Sequence, residues 1–170
     1  WQTEWYLDAT KAFPVPSGSM RYVFSEHVIE HLTYEQGLGM LRESFRVLAS
    51  GGRIRIVTPN ILKLIDLFRD PKPPELQRYI EGKLAFHRWP STPFPEVLIL
   101  NRELHSFGHQ FVYDPQALRD SLERAGFTAI TEYRPGISND PALAGIEIRP
   151  RSPMAFVNDY EAMAFEAVRP

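Results

Sequence analysis

The chain has 170 residues and not one cysteine, which excludes a disulfide scaffold, a thiolate zinc site and a cysteine nucleophile. It also lacks any excess of positive charge: 19 lysines and arginines are set against 21 acidic residues, for a formal net charge of −2. The two signs are interspersed, as in Arg42-Glu43 and Glu123-Arg124, which describes a solvated surface better than a basic stripe for nucleic acid. No apolar run approaches the roughly 20 residues of a membrane span, and no stretch reads as a signal peptide. Neither nucleic acid nor membrane is an expected partner, and the expected location is cytoplasmic.

Hydrophobic residues make up 44 % of the chain, enough for one domain, residues 1–170, with a substantial core. Proline is abundant, at 15 residues against a usual share of about 5 %. It gathers in connections: Pro14 and Pro16, then Pro71, Pro73 and Pro74, then Pro90, Pro93 and Pro95. Between these breaks the pattern alternates. Tyr22-Val23-Phe24 reads as a buried strand ending in Ser25-Glu26-His27. Thr33 and Gln36 form a capping box, and Leu38, Leu41, Phe45 and Leu48 place one apolar face on the helix that follows; Gly37 and Gly39 should weaken it. Gly51-Gly52 turns the chain into a β-branched strand over 53–58, which Pro59 ends.

Asn60 caps a further helix with a buried stripe of Ile61, Leu64, Ile65 and Phe68. Residues 71–112 are the least regular and read as an insertion or lid, with helix over 79–86. Asp114-Pro115 starts another helix with Leu118, Leu122 and Ala125 inward and Gly126 at its end, and strands follow over 129–133 and 162–168. The tail from Met154 to Phe165 reads as a loop leading into the last strand, with an amphipathic helix as the alternative. Strand–helix alternation predicts an α/β fold with a largely parallel sheet. Ligands of such sheets sit beyond the carboxyl ends of the strands, here at Asp8, Ser25 to His27 and Thr58 to Asn60.

The stretch FSEHVIEHLTYEQGLGMLRESFRVLASGGRIRIVTPN, followed by GHQFVYD and a helix ending in AGF, resembles the fourth-to-fifth-strand core of class I S-adenosylmethionine-dependent methyltransferases, in particular a short, type 11-like bacterial subgroup. The resemblance implies a Rossmann-like fold whose mostly parallel sheet has an antiparallel last strand, and S-adenosyl-L-methionine as cofactor. That family's glycine-rich cofactor loop has no counterpart here, so the first strands are missing from this chain, and about thirty residues carrying the loop are expected before Trp1. Arg21 stands where the family commonly has aspartate.

The resemblance assigns Asp8 and Ala9 to the adenine end of the cofactor and Ser25 and Glu26 to the sulfonium. His27, at the same strand end, is the candidate base for a hydroxyl or amine acceptor, with a reference pKa near 6.5. His109, in GHQFVYD, is a second catalytic candidate, and His105 and Tyr113 could reach the acceptor. For several of these residues a plainer role is open: Asp8 as a turn residue, His27 as a pocket liner, the insertion's histidines as lid anchors. His27 to His31 also spells H-x-x-E-H, the inverted zincin motif, without an identifiable third ligand. Some relatives hold a divalent metal with Glu-x-x-Glu-His at this place, but His27 replaces the first glutamate, so no metal is expected. The predicted function is methyl transfer to an oxygen or nitrogen of a small molecule or glycan precursor. The alternative is a non-catalytic binding or scaffold protein that keeps the fold. A homodimer is left open.

Overall fold

A computed structural model describes residues 7–89, 91–147 and 154–170; Pro90 and the Met154 side chain lie outside them. The first strand, β1 (Met20–Glu26), leads through a single 3-10 turn (Ile29–His31) into helix α1 (Tyr34–Val47). Strand β2 (Leu48–Pro59) is followed by the short helix α2 (Ile61–Ile65) and a 3-10 turn (Asp66–Phe68). Helices α3 (Pro74–His87), α4 (Pro95–His105) and α5 (Pro115–Arg124) come next. Strand β3 (Thr128–Tyr133), helix α6 (Met154–Glu161) and strand β4 (Ala162–Val168) complete the fold.

The strands form one sheet in the order β1-β2-β4-β3. β1 and β2 are parallel, while β4 runs antiparallel between β2 and β3. Three of the four described strands thus share a direction and the last opposes them, as the resemblance implies. One consequence positions the site. Because β4 is reversed and Ala162 pairs with Pro59, the start of β4 lies at the same edge as the carboxyl ends of β1 and β2.

Alternation along β2 sorts its side chains between two faces. Ile54 and Ile56 pack with Leu41, Leu118, Leu122 and Phe165 beneath α1 and α5, in the main core. On the other face Val57 meets Ala162 and Ala164, and Arg55, fully buried, reaches Glu147 at 2.5 Å and Glu166 at 2.6 Å. A second core joins the helices: Leu64 and Leu67 meet Leu76, Tyr79, Ile80 and Ile99, with Val157 of α6. No helix of the described residues is long and apolar enough to cross a membrane.

Local chemistry explains most of these elements. The Thr33 hydroxyl accepts from the Gln36 amide at 3.3 Å, and the Gln36 side chain accepts from the Thr33 amide at 3.0 Å, so both halves of the capping box are made. Asn60 and Asp114 cap α2 and α5 in the same way, accepting from Leu62 at 3.0 Å and Ala117 at 2.6 Å. Gly37 does more than weaken α1: a Cβ there would lie 2.6 Å from the Tyr113 hydroxyl and 3.2 Å from Ile29, so its absence lets α1 approach the core.

Four sequence readings need correction. β1 is not buried, since Phe24 is 40 % and Met20 37 % exposed; among the described strands it pairs on one side only. Gly51-Gly52 lies inside β2, with Gly51 at φ +76°, because the segment at 48–50 already pairs with the sheet. After Ile65 the helix tightens to 3-10 geometry, in which residues three apart align; Leu64 and Leu67 are therefore buried, and Ile65 and Phe68 point outward. The stretch before β4 is the helix α6, not a loop.

Candidate active site

β1 ends at the shared edge of the sheet, where the His27 amide donates to the Val57 carbonyl at 2.9 Å. The chain then turns with His27 at φ +51°, a left-handed conformation uncommon outside glycine and found disproportionately at functional positions. The turn places Glu30 beneath His27. Glu30 is fully buried; its Oε1 lies 3.0 Å from His27 Nδ1, and its Oε2 accepts from the Thr58 hydroxyl at 3.0 Å. Burial alone would raise the Glu30 pKa, but the bonds from His27 and Thr58, its own backbone amide and the His27 charge outweigh it and hold the carboxyl below its ordinary value. An ionised carboxylate can only accept, so His27 donates through Nδ1 and Nε2 becomes its basic nitrogen.

The Glu30 carbonyl also accepts from the amides of Gln110 (2.8 Å) and Phe111 (3.2 Å), which brings the loop carrying His109 to the same place. His109 Nδ1 lies 2.6 Å from the Glu103 carbonyl; a carbonyl offers no proton, so the tautomer is again fixed with Nε2 basic. The His31 and His109 rings meet edge-on, 4.8 Å between centroids. His27, Glu30, His31 and His109 line one cavity of about 530 Å³, together with Lys83, Glu103 and Glu161.

A separate cleft of about 440 Å³ lies against β1, lined by Ala9, Ser25 and Glu26 among apolar residues such as Phe13, Val23 and Met40. The end of β1 therefore serves both spaces: Ser25 and Glu26 border the cleft and His27 borders the histidine-lined cavity. Asp8, next to Ala9, closes a turn. Its Oδ1 accepts from the Thr10 amide (2.9 Å) and hydroxyl (2.7 Å), bonds that hold its carboxyl below the ordinary range, and Lys11 lies 3.3 Å from Oδ2.

Of the candidates read from sequence, the structure unites His27 with His109, and Ala9 with Ser25 and Glu26. Tyr113 does not reach the cavity; it is buried in the main core against Phe111. His105 is exposed at the end of α4 and does not line it. The inverted zincin motif is not formed, because His27 ends a strand and only Ile29–His31 are helical, in one 3-10 turn. A different set could hold a metal: one ligand atom each from Glu30, His31 and His109, all within 4.8 Å of one another. Sequence reasoning missed Glu30 as the partner of His27, although the three-residue spacing across a turn was a usable signal. Lys83, Glu103 and Glu161 were missed entirely, since the fold brings them together from three helices.

A family model described as "Methyltransferase domain" matches residues 4–56. Among solved structures, the chain is similar to a SAM-dependent methyltransferase of Thermotoga maritima (TM-score 0.53, 13 % identity, covering 95 % of this chain and 61 % of that one). It is similar as well to a possible exported protein of Bordetella parapertussis (TM-score 0.51, 14 % identity, covering 96 % and 43 %). A third is geranyl diphosphate C-methyltransferase of Streptomyces coelicolor, in complex with Mg2+, geranyl diphosphate and S-adenosyl-L-homocysteine (TM-score 0.50, 10 % identity, covering 96 % and 51 %). The chain thus spans about half the length of these neighbours. No curated protein matches its sequence. The shared architecture is the class I methyltransferase fold.

Proposed function

We propose that this chain, which has the class I methyltransferase fold, catalyses methyl transfer from S-adenosylmethionine to an oxygen or nitrogen of a small molecule, with His27 as the base. The observation that carries the reading is the division at the end of β1, where adjacent residues border a cleft of mostly apolar side chains on one side and a cavity lined by histidine and carboxylate side chains on the other. Methyl transfer needs such a division, because cofactor and acceptor must meet in line from opposite sides.

The apolar cleft fits the cofactor. Its walls offer apolar surface, and Ser25 and Glu26 add polar groups at the strand end. Ala9 would offer its backbone amide to the adenine and Asp8 a carboxylate. The cofactor would supply an activated methyl group on a sulfonium. The chain's own residues do the rest. Glu30 fixes the His27 tautomer, so that Nε2 accepts the proton the acceptor loses, and the Glu30 charge stabilises the imidazolium that forms. His109, with its Nδ1 proton held on the Glu103 carbonyl, presents a second basic nitrogen to the same cavity. Residues 71–112 contribute α3, α4 and the loop to His109, and act as the acceptor-binding insertion.

Isothermal calorimetry with S-adenosylhomocysteine, on the full chain as its gene encodes it, tests the reading. Binding that weakens at least tenfold in Glu26→Ala is expected; no binding would refute it and leave a non-catalytic scaffold as the better description.

The Glu30, His31 and His109 group favours one second reading, a divalent cation at the acceptor site. One carboxylate and two imidazoles suit a catalytic metal, although both Glu30 oxygens already serve His27 and Thr58. Turnover indifferent to EDTA supports the metal-free base; one equivalent of tightly bound metal, with activity lost on its removal, supports the cation.

A further inference from the structure

Part of the wall of the acceptor cavity carries an imbalance of charge. Lys83 of α3 lies 2.7 Å from Glu103 of α4 and 2.7 Å from Glu161 at the end of α6. The Tyr79 hydroxyl donates to the same Glu161 oxygen at 2.7 Å. The Lys83, Glu103 and Glu161 side chains are only 5–7 % exposed, yet all three face the cavity. Topology sets them there, because Glu161 directly precedes Ala162, which pairs with Pro59 at the catalytic edge of the sheet. One ammonium cannot neutralise two carboxylates.

The imbalance persists around the whole cavity. With neutral imidazoles, Glu30, Glu103 and Glu161 face a single lysine. Arg102 rests over the Trp89 and Phe107 rings, and even if it is counted the carboxylates stay in excess. Burial holds Glu161 above the ordinary carboxylate range, against the pull of Lys83. The same cavity includes two large aromatic rings left in solvent, Phe86 at 55 % and Phe107 at 43 % exposure. Aromatic faces beside buried carboxylates are what an organic ammonium group prefers.

We propose that this wall selects the acceptor: the molecule methylated carries a protonated amino group, held by Glu161 and Glu103 beside Phe86. The inference rests on the methyl-transfer reading, since it assigns the cavity to the acceptor. A purely structural role, in which the cluster only fastens α3, α4 and α6 together, predicts no preference among ligands by charge.

The test uses three compounds that share a phenol ring and differ in the charge of the side chain: tyramine, 4-ethylphenol and 3-(4-hydroxyphenyl)propionate. Each is titrated calorimetrically, with EDTA present, into the full chain with and without saturating S-adenosylhomocysteine. Tyramine should bind at least tenfold tighter than 4-ethylphenol, and the carboxylate most weakly. Glu161→Gln and Glu103→Gln should each shrink the tyramine preference to about threefold or less while leaving 4-ethylphenol within twofold. Equal affinities, a preference for the carboxylate, absence of tyramine binding, or a preference that survives both variants would overturn the proposal. If the variants do not fold, the wild-type order among the three ligands decides alone. Cofactor binding without an amine preference sinks only this inference; an amine preference without cofactor binding sinks the methyl-transfer reading instead.

Discussion

Replacing Glu30 with glutamine changes one heavy atom and should disable the proposed base, His27. In the wild type the Glu30 carboxylate is fully buried and sits 3.0 Å from His27 Nδ1, so the proton belongs on Nδ1. A glutamine amide can satisfy the same nitrogen with its own N–H, which moves the His27 proton to Nε2 and leaves nothing there to accept. Charge is lost as well. Unit charges 3.0 Å apart attract by about 5 kcal/mol at an effective dielectric near 20. His27 is 34 % exposed, so water screens the pair, and about half of that survives. About 2.5 kcal/mol corresponds to roughly 70-fold in rate, and the wrong tautomer adds to it, so a loss of about 10²–10⁴ in kcat/KM is expected, the usual span for a general base.

The most direct assay is nitrogen NMR of the histidine rings, which needs no acceptor. Wild-type His27 should show a protonated Nδ1 near neutral pH, and Glu30→Gln a protonated Nε2. Stability should respond in step. The Glu30 carboxyl is held below its ordinary value of 4.5, so its contribution is complete above about pH 4.5 and is lost as pH falls through the lower, folded value. Denaturation midpoints of the wild type should therefore fall in that acid window more steeply than those of Glu30→Gln. A wild-type His27 carrying its proton on Nε2, or a variant with kcat/KM within threefold of wild type, would refute the reasoning.

Two further substitutions test the packing that holds the site. Gly37→Ala should destabilise the fold by about 1–3 kcal/mol, despite a gain of about 1 kcal/mol in helix propensity, because the new methyl would lie 2.6 Å from the Tyr113 hydroxyl; urea melts should show the lower midpoint, and a stabilised variant would contradict the close approach. Arg55→Met leaves Glu147 and Glu166 buried without their cation and should cost about 3–5 kcal/mol, while Arg55→Met with Glu166→Leu recovers part of the loss; additive losses in a double-mutant cycle would show that the pair is not coupled.

The elements written in local chemistry were legible in the sequence. The Thr33 box, the Asn60 and Asp114 caps and the β-branched run of β2 each act within a few residues, and each appears where its pattern predicts. Legibility fails where a distant neighbour decides. Phe24 looks like a core residue, but among the described strands its own pairs on one side only. α4 was missed because its N-cap is Phe94, which makes no side-chain cap bond, and because only Ile99 and Glu103 of its residues are buried, too few for a readable stripe. Pro74 and Pro95, read as marks of connections, are the first residues of α3 and α4, where a missing amide proton costs nothing.

The candidate site divides along the same line. Ser25, Glu26 and His27 are consecutive, so a strand end could be read from the sequence, and with it the approximate location of the chemistry. What could not be read is that one left-handed residue separates them into two spaces. His27 leaves the strand at φ +51° and drops onto Glu30, three residues on, whose backbone carbonyl in turn holds the loop of His109. Glu30 thus works twice, its side chain holding His27 and its main chain the loop that carries His109. The Lys83, Glu103 and Glu161 wall is assembled from three helices far apart in sequence, and only the reversal of β4 brings its last member to the edge where β1 ends. The residues that position the base are local to one turn, whereas those proposed to choose the acceptor are gathered from afar. The proposed reaction and its proposed specificity should therefore be separable, and Glu30→Gln and Glu161→Gln are the variants that test this.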